Sequence, residues 1–248
     1  MVAGSILLGP LPFSAIVLLI YILGMREIFS LYPEDLPFKR GFSAFPGILL
    51  VALTFMVIYA HWSPLLLVLP LALWLILSLI SGFKPSGALS LFWLSIPLSS
   101  FLSLGWMGAD GLFHSMLPLA VISLLWVNDT FAYVTGNLMG RHPMTPRISP
   151  GKTWEGFAGG AIFALLGGWI IFKVLGTYSL ETFLLLSLII SILGLWGDLY
   201  ESGIKRKKSI KDSGKLLPGH GGILDRFDSL FFVAPGALIL SLLIKLLQ

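Results

Sequence analysis

Residues 201–228 gather cations, glycines, one histidine and carboxylates between two apolar runs of membrane length. Between Glu201 and Arg226 lie seven Lys/Arg and three Asp/Glu, a local charge of +4 that equals the net charge of all 248 residues. The rest of the chain is electrically balanced. Cations and glycine-rich backbone against a membrane suit a phosphate-rich substrate, and neighbouring carboxylates suit the metal ions that accompany phosphates. The plainer use of a basic run is to anchor topology.

Carboxylates beside hydrocarbon are expensive, so each needs a reason to be there. Asp198 closes one apolar run, and Asp225 and Asp228 open the next. The latter two are three residues apart and share a helix face, while Asp198 forms a stripe with Glu201 or Ser202 and Lys205. Two facing helix ends of this kind supply oxygen ligands for a divalent cation that in turn holds a nucleotide's phosphates. Helix capping accounts cheaply for Asp225 or Asp228. It does not account for Asp198, which sits near a helix C-terminus where the dipole disfavours it. Asp129, preceded by Asn128 inside another apolar run, must face a partner or a wet cavity.

Among the loop cations, Lys205, Arg206 and Lys211 are expected to face the site, with Lys207 and Lys208 toward solvent or anionic headgroups. Gly214, Pro218, Gly219, Gly221 and Gly222 surround His220 with backbone that lets main-chain N–H groups approach an anion closely. His220 is a candidate acid, base or phosphate ligand. A second polar stretch, 141–155, carries Ser149, Lys152 and Thr153. Its Gly-Lys-Thr is not a P-loop, because Pro146 stands where that motif needs glycine. Ser149 or Thr153 is placed to cap the following helix, and Lys152 to reach an anion at its positive end.

These groups need a membrane scaffold to position them. Hydrophobic residues make up 56% of the chain and charged ones 11%, with a mean hydropathy of +0.94. Such values lie outside the range of soluble domains. Apolar runs near 5–24, 43–60, 63–81, 87–107, 112–138, 156–175, 178–200 and 227–246 predict an all-α polytopic membrane protein of about eight spans, seven to nine. With the N-terminus outside, fourteen of the sixteen Lys/Arg fall on one side and only Lys173 and Lys245 on the other, which places the polar loops in the cytosol. Residues 1–4 lack the charged start of a cleavable signal, so the first run is expected to be a retained span. The absence of cysteine excludes disulfides, thiolate metal sites and a cysteine nucleophile. One integral domain is expected, with residues 1–110 facing lipid and 111–248 holding the chemistry.

The assembled residues closely resemble the phosphatidate cytidylyltransferase, or CDP-diglyceride synthase, family over residues 120–230. The family's C-terminal signature is filled here by Ser202, Lys205, Arg206, Lys211, Asp212, Gly214, Leu217, Pro218, His220, Gly221, Gly222, Asp225, Arg226 and Asp228, without departure. Asn128-Asp129, the 149–155 stretch and Gly197-Asp198 also look like family elements. The resemblance implies condensation of CTP with phosphatidic acid to CDP-diacylglycerol and pyrophosphate. It further implies Mg²⁺ held by Asp198 and Asp225, with room for a second metal or a monovalent cation, a location in the inner membrane, and a homodimer with no nucleic-acid partner. The catalytic set it implies is Asp198, Asp225, Asp228, Lys205, Lys211 and His220. The substrate-binding set is Ser149, Lys152, Thr153, Ser202, Arg206, Asp212, Gly221, Gly222, Arg226 and Asp129. The competing readings are CMP transfer to another lipid phosphate, such as an isoprenoid-ether lipid, and a transporter whose carboxylates line a pathway.

Overall fold

Proline and glycine set where the first helix breaks. In the computed structural model of the chain, which describes residues 1–33, 37–81, 85–108, 110–176, 178–214 and 221–247, the first apolar run is two helices, α1 (Val2–Leu8) and α2 (Pro10–Leu31). Of residues 37–43, 81 and 175 only the backbone is described. Gly9 between the two helices takes φ 115°, which L side chains rarely adopt, and Pro10 starts the second with a fixed φ and no N–H to satisfy. The span expected at 5–24 is therefore shifted to 10–31.

The remaining helices are α3 (Pro37–Ala60), α4 (Leu69–Ser81) entered by a short 3₁₀ turn at Pro64–Val68, α5 (Pro85–Ala88), α6 (Ile96–Ser103), α7 (Met116–Met139), α8 (Trp154–Leu175), α9 (Leu180–Lys207) and α10 (Leu224–Leu247). Among the described residues, six stretches are long and apolar enough to cross a membrane: Pro10–Leu31, Pro85–Trp106, Met116–Met139, Trp154–Val174, Leu180–Lys207 and Leu224–Leu247. Ala44–Ala60 and Pro64–Ile80 are shorter apolar helices. The chain is an all-α polytopic membrane protein. Its only strands among the described residues are a hairpin of β1 (Pro143–Thr145) and β2 (Ser149–Thr153), which hydrophobic patterning did not signal.

The helices sort into two units. The first comprises Met1–His114 and Ser213–Leu224. Its core sets Phe13 edge-on to Phe101 at 5.2 Å, with Ile28, Leu91, Leu94 and Leu98 fully buried. The stretch Leu89–Ser95, between α5 and α6, widens into a π-helix. Pro97 explains the widening, since it cannot donate to the carbonyl four residues back and its ring crowds that carbonyl. Within it, Ser95 Oγ donates to the Ser90 carbonyl at 2.7 Å. Also in this unit, Glu27 of α2 is buried and accepts from Ser213 Oγ at 3.0 Å, Ile223 N at 2.7 Å and Leu224 N at 2.9 Å.

The second unit comprises Ser115–Asp212 and Asp225–Gln248. Small residues let its helices touch backbone to backbone, the usual device where lipid removes the hydrophobic drive between helices. A Cβ on Gly156 of α8 would lie 2.8 Å from the Ala132 carbonyl of α7, and one on Gly160 would lie 2.8 Å from that of Asn128. Phe131 and Phe163 stack across the same pair at 3.7 Å. Ser187 of α9 donates to the Ala164 carbonyl of α8 at 2.9 Å. Gly197 of α9 packs on the α10 backbone, where a Cβ would come within 3.0 Å of the Ser229 Cα. The outward side of α8 exposes Ile162, Leu166, Trp169, Ile170 and Val174, a face suited to lipid.

Candidate active site

The site lies wholly within the second unit. Its frame starts at the α7–α8 connection, where Glu155 in the first turn of α8 accepts from Arg141 N at 3.1 Å, His142 N at 3.2 Å and His142 Nδ1 at 2.5 Å. These bonds hold the hairpin against the helix it precedes. Thr153 ends β2 and caps α8, accepting from Gly156 N at 3.1 Å. Of the two capping candidates it is Thr153 that caps; Ser149 lies in β2, paired with Thr145.

With the hairpin fixed, Lys152 points at α9 and forms an ion pair with Asp198. Ser202, one turn further along α9, donates to the other Asp198 oxygen at 3.2 Å. Another turn on, Lys205 donates at 2.7 Å to both Glu201 and Asp225, joining the end of α9 to the start of α10. Glu201 is 1% exposed, and its Oε1 has no hydrogen-bond partner among the described residues. On α7, Asn128 donates to Asp129 at 3.2 Å, and the buried Asn128 Oδ1 likewise has no partner among the described residues.

These groups enclose a cavity of about 390 Å³. Asp129 from α7, Lys152 and Thr153 from β2, Asp198 from α9, and Asp225, Arg226 and Asp228 from α10 all line it. Four carboxylates and two cations thus face one space, beside Tyr133, Met144, Phe157 and Leu195. Ser202 and Lys205 act on the lining carboxylates from behind.

Other residues singled out from the sequence lie elsewhere. Arg206, expected to face the site, is exposed and donates through Nε to the Ile148 carbonyl at 3.2 Å, tying α9 to the hairpin turn. Lys211, expected to face the site as well, and Asp212 are exposed and do not line the cavity. The segment leaves the helix at Lys208 and turns through Ser209 at φ 56°, so residues beyond it no longer follow the α9 stripe. Gly221 and Gly222 belong to the first unit, where Gly222 backs onto Glu27. His220, like Lys215, Leu217, Pro218 and Gly219, lies outside the described residues. The wall formed by Met144, Ser191, Gly194 and Ser229 went unread in the sequence; these are small or apolar residues with no chemical signal of their own.

Residues 1–244 match the model of the cytidylyltransferase family. The chain belongs to that family. Among its similar relatives are phosphatidate cytidylyltransferases of Staphylococcus haemolyticus, 49% identical over 128 residues, and Staphylococcus saprophyticus, 46% identical over 129 residues. That of Staphylococcus aureus strain COL is 44% identical over 129 residues. Each match covers 51% of this chain and 48% of the relative, so the chain spans about half the length of the curated relatives it matches.

Proposed function

We propose that this member of the cytidylyltransferase family transfers CMP from CTP to phosphatidic acid. The observation that carries the reading is the convergence of Asp129, Lys152, Asp198, Asp225, Arg226 and Asp228 on one cavity. The naming of the relatives as phosphatidate cytidylyltransferases supports the choice of substrates. A phosphatidate oxygen attacks the α-phosphorus of CTP, the new O–P bond forms as the bond to the β-phosphate bridging oxygen breaks, and pyrophosphate leaves with that electron pair. The attacking phosphate is already ionised near neutrality, so no protein base has to remove a proton. Catalysis then rests on positioning and charge stabilisation.

The chain's own groups divide this work. Lys152, held by Asp198, is within reach of an incoming phosphate and exchanges one anionic partner for another. Arg226 offers a planar donor fork to a second phosphate. Thr153 keeps the positive end of α8 beside the cavity. Lys205 holds Asp225 in place from behind. Asp129 and Asp228 complete the polar wall.

The donor set fits a hard divalent cation such as Mg²⁺. Carboxylate oxygens from facing helices are the ligands it prefers, and no group of three or more acidic or histidine side chains among the described residues could cage a metal alone. That suits an ion bound by one or two carboxylates and completed by substrate phosphates. Asp198 and Asp225 would hold it, and it would neutralise charge on the phosphate oxygens. The inner membrane, an outside N-terminus and a cytosolic cavity complete the proposal, as does a homodimer. CTP is water-soluble and phosphatidate bilayer-bound, so the two meet at a membrane surface.

The deciding experiment is incorporation of labelled CTP into lipid by purified protein with phosphatidate and Mg²⁺. A CDP-lipid and pyrophosphate are expected, lost with EDTA and regained with excess Mg²⁺. No labelled lipid from folded protein would overturn the reading, and product only with an isoprenoid-ether phosphate would reassign the lipid. In the same assay, Lys207→Ala is expected to stay within about twofold of wild type, since Lys207 is exposed and does not line the cavity.

A further inference from the structure

A buried carboxylate outside the cavity draws two distant parts of the chain together. Glu27 is separated from its partners by almost the whole sequence, yet it accepts from Ser213 Oγ and from the consecutive backbone amides of Ile223 and Leu224. Gly214 and Gly222 give it room, for a Cβ on either would lie 2.6 Å from Glu27 Oε1. One side chain therefore binds both ends of the segment that carries the signature glycines. It also satisfies two amides at the start of α10, where a helix has no carbonyls of its own to offer and where negative charge is favoured.

We propose that Glu27 is the positioning residue that holds Ser213 and the Ile223 and Leu224 amides, and so fixes the backbone at the start of α10 that leads directly into Asp225. A residue serving only to fill space here would be apolar, because burying a carboxylate is costly unless its charge is used. Both Glu27 oxygens are used, and each accepts a backbone amide. Glutamine would turn an amide donor toward one of those N–H groups. Aspartate keeps the charge but is one methylene shorter.

The turnover arm of the test rests on the cytidylyltransferase reading; the exchange arm does not. Full-length Glu27→Gln, Glu27→Asp and Gly222→Ala are purified in detergent, and hydrogen exchange is followed on peptides covering 221–226 and on α9. In Glu27→Gln and Gly222→Ala, exchange at Ile223 and Leu224 is expected to quicken about tenfold, as for loss of a charge-assisted hydrogen bond, with α9 unchanged. Turnover per folded protein is expected to fall on the order of a hundredfold, mostly in kcat rather than in KM for CTP, because the error is one of placement. Glu27→Asp should recover part of both. Unchanged exchange at 223–224, or turnover that declines only in step with the folded fraction, overturns the proposal. If wild-type protein makes no CDP-lipid, the activity reading fails alone, and exchange in Glu27→Gln still decides whether Glu27 fixes the segment.

Discussion

Asp225→Asn and Asp198→Asn are each expected to lower CDP-lipid formation by at least about a hundredfold, with the protein still folded in detergent. Both carboxylates line the cavity, and each is the partner of a lysine, Asp198 of Lys152 and Asp225 of Lys205. The amide is nearly the same size, so packing is preserved. What changes is charge: the proposed cation would lose an anionic ligand, and the partner lysine loses its negative partner while keeping a weaker neutral acceptor. The two variants should therefore raise the Mg²⁺ concentration needed for half-maximal rate as well as lowering the maximal rate. Steady-state assays across a Mg²⁺ series, with thermal unfolding as the control for folding, test both. Near-normal turnover in either variant would remove that residue from the catalytic set.

The largest stability effect is expected at Lys205. Its ammonium is 2.7 Å from Glu201 and from Asp225, and the three side chains are 15%, 2% and 10% exposed. Lys205→Met would leave two carboxylates facing each other in a buried space with nothing between them. Removing one partner of a buried ion pair costs about 3–5 kcal/mol. A clear fall in the unfolding temperature in detergent should follow. Because the penalty is electrostatic, Lys205→Met combined with Glu201→Gln should recover much of it. A double variant no more stable than Lys205→Met would show that the loss comes from packing instead. Lys205→Arg is not a conservative control, since a planar fork does not replace a point charge between two acceptors.

How much of this was legible in the sequence depends on the range of each signal. The spans were readable because apolar length is local, and the segments found at Met116–Met139 and Leu224–Leu247 lie within a few residues of those expected. Asp129, Asp198, Asp225 and Asp228 stood out because charge within or at the end of an apolar run is rare, and all four line one cavity. The α8 cap was narrowed to Ser149 or Thr153 by their place before an apolar run, and the structure gives it to Thr153. The hairpin was not legible, because its strands are only three and five residues long and carry no alternating pattern. Arg206 and Lys211 were assigned from the loop's charge and from the resemblance, neither of which tells a cation turned into a cavity from one turned away. Glu27 was passed over although it too is a carboxylate beside an apolar run. Its partners lie 186 to 197 residues away, and nothing in its neighbourhood points to them.

That distance also bears on how the chain is made. Synthesis delivers Glu27 long before Ser213, Ile223 and Leu224, so α2 enters the bilayer with an acidic side chain whose acceptors' partners do not yet exist. A carboxylate without partners is disfavoured beside hydrocarbon. Until Ser213, Ile223 and Leu224 emerge, Glu27 lacks the three donors that satisfy it in the finished first unit. The unit that begins first is therefore finished nearly last, and a ribosome-bound chain stopped before residue 213 would present the quality-control machinery with an incomplete fold.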